Sequence, residues 1–304
     1  MALLVTGMAA IGLSAPAAEA APVAGYDCGS IYALQGSGTS PGARTVWAVD
    51  TSSGTQAAFD SFGGVSGTLN GLGINNNGTV AFAVASNGST RTIYEYVPAT
   101  NTTTAFAAPA GTPVTHGAIN PVNGYFYYGG FSGTTLLVYG FNPNTNTSLG
   151  LVASGTVPTS GANGDWAFDS QGRLYVVGGG GGVNSVFSVD QTIPTSGPAI
   201  SITGHLITTI NTPGDNMNGM AFGSDGFLYL SSGSTLYQAN PSTGAVANQY
   251  PLSLPGSVDM ASCTSPSTIT VRKNFPQNRV NPTDQVTLGV TGGGITTGNT
   301  GTTT

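Results

Sequence analysis

Between Leu69 and Cys263 short apolar runs alternate with Gly- and Asn-containing turns, and that alternation recurs about five times. One half of the unit reads Asn70-Gly71-Leu72-Gly73-Ile74, Asn77-Gly78, then Val80-Ala81-Phe82-Ala83. It returns as His116-Gly117-Ala118-Ile119 with Tyr125-Phe126-Tyr127-Tyr128, as Asp165-Trp166-Ala167-Phe168 with Leu174-Tyr175-Val176-Val177, and most clearly as Asn218-Gly219-Met220-Ala221-Phe222 with Phe227-Leu228-Tyr229-Leu230. The other half is a second pair of runs around a polar turn, as in Thr45 to Gly54 and Thr235 to Gly244, with weaker copies at Thr92 to Asn101, Leu136 to Asn146 and Ser185 to Gln191. Asn-Gly, Asp-Gly, Gln-Gly and Pro-Ser-Thr-Gly turns suit hairpins, because Gly and Asn accept the positive φ that tight turns require. Four strands in roughly 45 residues is the pattern of a propeller blade.

The two ends of this array complement each other. Cys28-Gly29-Ser30-Ile31-Tyr32-Ala33-Leu34 matches the second strand of the unit with no first strand ahead of it, and Ser257 to Cys263 matches the first strand with nothing after it. Joined, they make one blade, so the fold class is all-β, a five-bladed β-propeller over residues 26–263. Six blades are the alternative if the long unit from Asn163 to Asn211 hides a further pair of strands. The only two cysteines, Cys28 and Cys263, lie at these ends, and an oxidised pair would lock the ring where it otherwise leaves an open sheet edge. The competing reading is two unrelated buried thiols.

The flanks differ from the array. Leu3 to Leu13 is apolar and precedes Ala18-Glu19-Ala20, a small-x-small pattern, so residues 1–20 read as a secretory signal, although no Lys or Arg precedes the apolar run. That run is too short to span a bilayer, and no other segment is apolar enough. Residues 264–267 read as a linker. Beyond it Ile269/Val271 and Val286/Leu288/Val290 alternate as half-buried strands do, and two strands cannot bury a core alone. The chain is therefore expected to continue past Thr304 into a β-sandwich-like domain.

Charged residues make up 6% of the chain and the net charge is -6, against about 25% charged residues in an average soluble domain. Lys273 is the single lysine. Nucleic-acid binding needs clustered cations to release counterions, so that class is excluded. Secretion, a monomeric state and an extracellular glycan or protein partner are the expectations.

The stretch Ile269-Thr270-Val271-Arg272-Lys273, with Arg279, Asn281, Thr283 to Leu288 and Gly298-Asn299-Thr300, resembles the opening of the prealbumin-like, immunoglobulin-like repeats of secreted and cell-wall proteins of Gram-positive bacteria. The preceding region resembles the N-terminal β-propeller-like domain of unknown function often placed before such repeats in actinobacterial surface proteins. The resemblance implies architecture and a cell-surface setting. It implies no catalytic residue, and the wall-anchoring tail usual in that family is not seen here.

Mapping the repeat onto a ring places Asn70, His116, Asp165, Asn218 and Asp259 near one mouth of the central channel. Two carboxylates, two amides and an imidazole could hold Ca²⁺, which takes oxygen ligands in groups of six or more, or orient a sugar. The competing reading is that these side chains cap turns by bonding to backbone. The only histidines are His116 and His205, and no Gly-x-Ser-x-Gly elbow accompanies either, which argues against a Ser-His-Asp hydrolase. Gly178 to Gly182 lacks the Lys and following helix of a phosphate loop and reads as a hairpin turn. Asp165 and Asp259 are the only candidates for a glycosidase pair, which needs carboxyls about 5 to 10 Å apart. The cluster Tyr125 to Tyr128 with Phe131 reads as intersheet core, with a carbohydrate-stacking platform as the alternative.

Three function classes follow: a non-enzymatic extracellular binding or structural module, adhesin-like; a propeller enzyme of lactonase, lyase or glycosidase type acting at the channel mouth; and an architectural spacer presenting later repeats. Fold alone does not choose among them.

Overall fold

A computed structural model describes residues 25–36, 42–241, 243–254, 257–267, 287–289 and 300–302. The ring opens with β1 (Ile31–Gln35), β2 (Gly42–Val49) and β3 (Gln56–Val65). Next come β4 (Thr68–Ile74), β5 (Ala81–Asn87), β6 (Thr90–Val97) and β7 (Thr102–Ala108), then β8 (His116–Ile119), β9 (Phe126–Ser132), β10 (Thr135–Asn142) and β11 (Thr147–Thr156). The fourth group is β12 (Asn163–Phe168), β13 (Leu174–Gly180), β14 (Val183–Val189), the short β15 (Ile200–Ser201) and β16 (Gly204–Asn211). The last is β17 (Gly219–Phe222), β18 (Leu228–Ser231), β19 (Thr235–Ala239) and β20 (Val246–Pro251), followed by β21 (Ser257–Ala261).

These strands form five antiparallel meanders, ordered β21-β1-β2-β3, β4-β5-β6-β7, β8-β9-β10-β11, β12-β13-β14-β16 and β17-β18-β19-β20. The first strands touch in a closed cycle, β4 to β8 to β12 to β17 to β21 and back to β4. That cycle makes the chain a five-bladed β-propeller. The long unit from Asn163 to Asn211 hides no sixth blade: its extra strand β15 lies parallel against β11 and covers the outer edge of the preceding blade.

Each blade is apolar on both faces, and strand periodicity distributes its side chains to two neighbours. On β13, Leu174 and Val176 enter the wedge shared with the third blade, whereas Tyr175 and Val177 enter the wedge shared with the fifth. All five wedges between blades are filled in this way. The aromatic run after Asn123 belongs to this packing. Phe126 stacks on Phe82 of the second blade at 5.4 Å, and Tyr127 meets Phe168 of the fourth at 5.4 Å. Phe126, Tyr127 and Tyr128 are fully buried, so they offer no stacking platform for a sugar.

Closure combines β-pairing and a covalent bond. β1 pairs antiparallel with β21, Tyr32 opposite Ala261 and Leu34 opposite Asp259. Cys28 and Cys263 are disulfide-bonded across these ends, with Cα atoms 5.0 Å apart. The Tyr26 amide donates to the Gly78 carbonyl at 2.7 Å, tying the start of the ring to the β4–β5 turn. Gly78 has φ +70, and a Cβ there would lie 2.1 Å from the Tyr26 carbonyl oxygen, so this tie needs glycine.

Residues 264–267 lie against the propeller. The Thr264 hydroxyl donates to the Cys28 carbonyl at 2.7 Å, and the Ser170 amide on the β12–β13 turn donates to the Pro266 carbonyl at 3.0 Å. Further along, Thr287–Gly289 and Thr300–Thr302 pair antiparallel as β22 and β23. The signal expected at 1–20 and most of the segment expected to open a further domain at 268–304 lie outside the described residues.

Candidate functional site at the propeller axis

The inner strands approach so closely that side chains have little room between them. A Cβ on Gly117 of β8 would sit 2.1 Å from the Gly71 carbonyl oxygen of β4. Two carboxyls occupy the space that remains, Asp165 from β12 and Asp259 from β21, and both residues are completely buried.

Their surroundings are backbone amides. Asp165 Oδ1 accepts from its own neighbour Trp166 at 2.7 Å, and Oδ2 accepts from Met220 of β17 at 2.7 Å. Asp259 Oδ2 accepts from Leu72 of β4 at 3.0 Å. The pair thus gathers N–H groups from three of the five inner strands, β12, β17 and β4. Asp259 Oδ1 is buried without a hydrogen-bond partner, and the two carboxyls lie close enough to interact with one another. Such a pair needs a proton, because two buried carboxylates in contact repel. Burial accordingly pushes Asp165 up to about 8, against the lowering effect of its amide bonds. Asp259 is also raised well above its ordinary value, first by burial and then by the Asp165 charge. The donors are N–H dipoles with their positive ends toward the pair, which favours carboxylate charge and opposes a cation. Ca²⁺ needs the reverse, a cage of oxygens.

His116 takes a different direction. It is fully buried between blades three and four, with its ring edge-on to Phe131 and Trp166 at 5.1 Å each. Its Nδ1 bonds the Thr115 hydroxyl at 2.7 Å while Nε2 has no partner. Burial pushes its pKa down to about 3, so the ring is neutral. Asn70 caps locally, its Oδ1 accepting from the Gly71 amide at 2.8 Å. Asn218 accepts from the Asn163 side-chain amide, bridging blades four and five at the mouth. Asn70 and Asn218 are half-buried and Asn163 is exposed.

Of the five mouth residues, the fold therefore brings Asp165 and Asp259 into contact, leaves Asn70 and Asn218 on the rim, and turns His116 into an interblade wedge. Asn163 was missed by the repeat alignment, yet it lies two positions before Asp165, on the same face of a strand. Beyond the carboxyl pair, toward the ends of the inner strands, is a cavity of about 20 Å³ bounded by Leu72, Trp166, Met220, Met260 and the passing Thr264 and Ser265. That is room for roughly one water and none for a sugar ring.

No protein-family model and no curated protein matches the chain. Similar solved structures include a functionally unknown protein from Desulfotomaculum acetoxidans, at 14% identity over 78% of this chain and 75% of that one, TM-score 0.45. TolB from Acinetobacter baumannii matches at 15% identity over 77% of this chain and 54% of that one, TM-score 0.42. The β-propeller domain of Swd1 from Myceliophteria thermophila matches at 12% identity over 72% of this chain and 88% of that one, TM-score 0.40. The chain is a β-propeller by its own sheet topology, and these similarities are of fold alone.

Proposed function

We propose that this propeller is a non-enzymatic extracellular module, adhesin-like, that binds a glycan or protein at its surface as part of a Gram-positive cell-surface protein with immunoglobulin-like repeats after it. The observation that carries this reading is the occlusion of the axis. The acids best placed for chemistry are fully buried and committed to backbone amides of neighbouring blades, and the neighbouring imidazole is sealed in a wedge. A catalytic group must reach its substrate, and these do not. Binding is then left to the rim amides, the exposed Asn163 with its half-buried partner Asn218, and the half-buried Asn70. The disulfide fits an oxidising destination, as does the leader-like start.

A spacer role has its own support. The Ser170 to Pro266 hydrogen bond holds the departing chain beneath the fourth blade, which would aim whatever follows in one direction.

The experiment is a glycan array and a panel of lactone, polyuronate and glycoside substrates offered to the purified full chain. Binding without turnover is the expected result. Turnover that disappears in Asp165→Asn would overturn the reading, and loss of glycan binding in Asn163→Ala/Asn218→Ala would assign it to the rim.

A further inference from the structure

We propose that Asp165 and Asp259 form a proton-sharing latch at the propeller axis, which holds the ring tightest in acid and loosens it as pH rises through the neutral range. The two residues come from non-adjacent inner strands, β12 and β21, and each bonds a strand beyond its own: Asp165 the amide of Met220, Asp259 that of Leu72. Asp259 also belongs to the strand that closes the ring against β1. A proton shared between these two buried carboxyls would therefore tie the closing strand to the opposite side of the ring.

Among the described residues, no charge on the strands packed around the pair competes for that proton. The strands packed on β12 and β21 are β1, β4, β8, β9, β13, β17 and β18, and none carries Lys, Arg, Asp or Glu. Their titratable side chains are His116 on β8 and five phenols, Tyr32, Tyr127, Tyr128, Tyr175 and Tyr229. Burial raises Tyr32, Tyr127, Tyr128 and Tyr229 further. With no cation on these strands, the proton is what allows two carboxyls to share one buried space.

The sign follows from linkage. The native pair holds at least one proton across the interval from the ordinary Asp value of 3.8 to about 8, where the unfolded chain holds none. Stability from the pair is thus complete below 3.8 and lost as pH rises through about 8. His116 acts oppositely: its native value is depressed from 6.5 to about 3, so the unfolded chain alone takes up a proton between them and stability falls toward acid. The two effects offset below pH 6.5. Between 6.5 and 8 the pair acts unopposed, and the unfolding equilibrium constant should rise about tenfold per pH unit for each proton held.

The test is denaturant unfolding of the full, oxidised chain from pH 5 to 9. The wild type should lose stability most steeply between pH 6.5 and 8. In Asp165→Asn/Asp259→Asn, which leaves no carboxyl at the axis to hold a proton, the unfolding constant should lose its tenfold rise per pH unit in that range, while Glu95→Gln, away from the axis, should keep it. His116→Gln should extend the wild-type slope below pH 6.5. A flat or rising wild-type profile between 6.5 and 8, or an unchanged slope in Asp165→Asn/Asp259→Asn, overturns the latch. Infrared spectra of the wild type serve if the double variant fails to fold: a protonated carboxyl band persisting at pH 7 supports the latch, and full ionisation by pH 6 refutes it.

Discussion

The second blade and the closing blade share a strand order, but one is built from a continuous segment and the other from the two ends of the ring. β4 to β7 follow each other within Thr68–Ala108 through short turns. In the closing blade, β21 finds β1 across a disulfide whose cysteines are 235 residues apart. A hairpin turn makes strand pairing nearly local, whereas pairing the chain ends carries the closure entropy of the whole ring. Extra ties gather where that entropy falls: the disulfide, the Thr264 to Cys28 hydrogen bond, the Tyr26 to Gly78 bond and the Asp259 carboxyl on Leu72. Among the described residues the second blade contains no crosslink.

The most severe way to break this contrast is to remove the covalent tie. Cys28→Ser/Cys263→Ser should lose about 5 kcal/mol by chain-entropy arithmetic, seen in calorimetry as a melting point lower by roughly 10–20 °C for a domain of this size. A loss below about 1 kcal/mol would mean that the β-pairing alone closes the ring.

Asp165→Ala should cost about 3 kcal/mol in urea unfolding, because it leaves the Met220 and Trp166 amides without their acceptor in a buried site. The shift should persist in the disulfide-free background, since the axis and the ring's covalent seam are separate ties.

Away from closure, Gly117→Ala tests the inner ring where blades two and three meet. The added methyl would collide with the Gly71 carbonyl and should cost roughly 1–3 kcal/mol. Gly233→Ala, with nothing within 4 Å of the new Cβ, should stay within about 0.5 kcal/mol of wild type in the same assay. Among the substitutions that remove a contact the smallest is Thr264→Val, which removes one hydroxyl bond to Cys28 and should cost about 1 kcal/mol, read as a small change in midpoint at unchanged m-value.

Much of the architecture was legible because a propeller repeats its chemistry. The Asn-Gly and Asp-Gly turns and the paired apolar runs mark five blades, and the unmatched strands at Cys28 and Cys263 mark the seam. The axis was less legible. Asn70, His116, Asp165, Asn218 and Asp259 occupy corresponding places in the repeat, yet they diverge into a local cap, a wedge filler, a carboxyl pair and a rim bridge. Side chains of different length and polarity settle into whichever space the converging strands leave, and that space is not written in any one repeat. Asn163 escaped notice for a related reason: its partner Asn218 comes from the next blade.

The sequence by itself determined the all-β class, the period, the turns and the partnership of the chain ends, because these depend on local backbone preference and on a count of matching units. Only the tertiary structure decided that the two acids meet, that the histidine is sealed away from them, and that the cavity beyond them has space for little more than a water. Those outcomes depend on distances across the ring, between residues such as Asp165 and Asp259 that lie far apart in the chain. They are set by the circumference of five packed blades, whose width brings the inner strands close enough for buried carboxyls to share a proton.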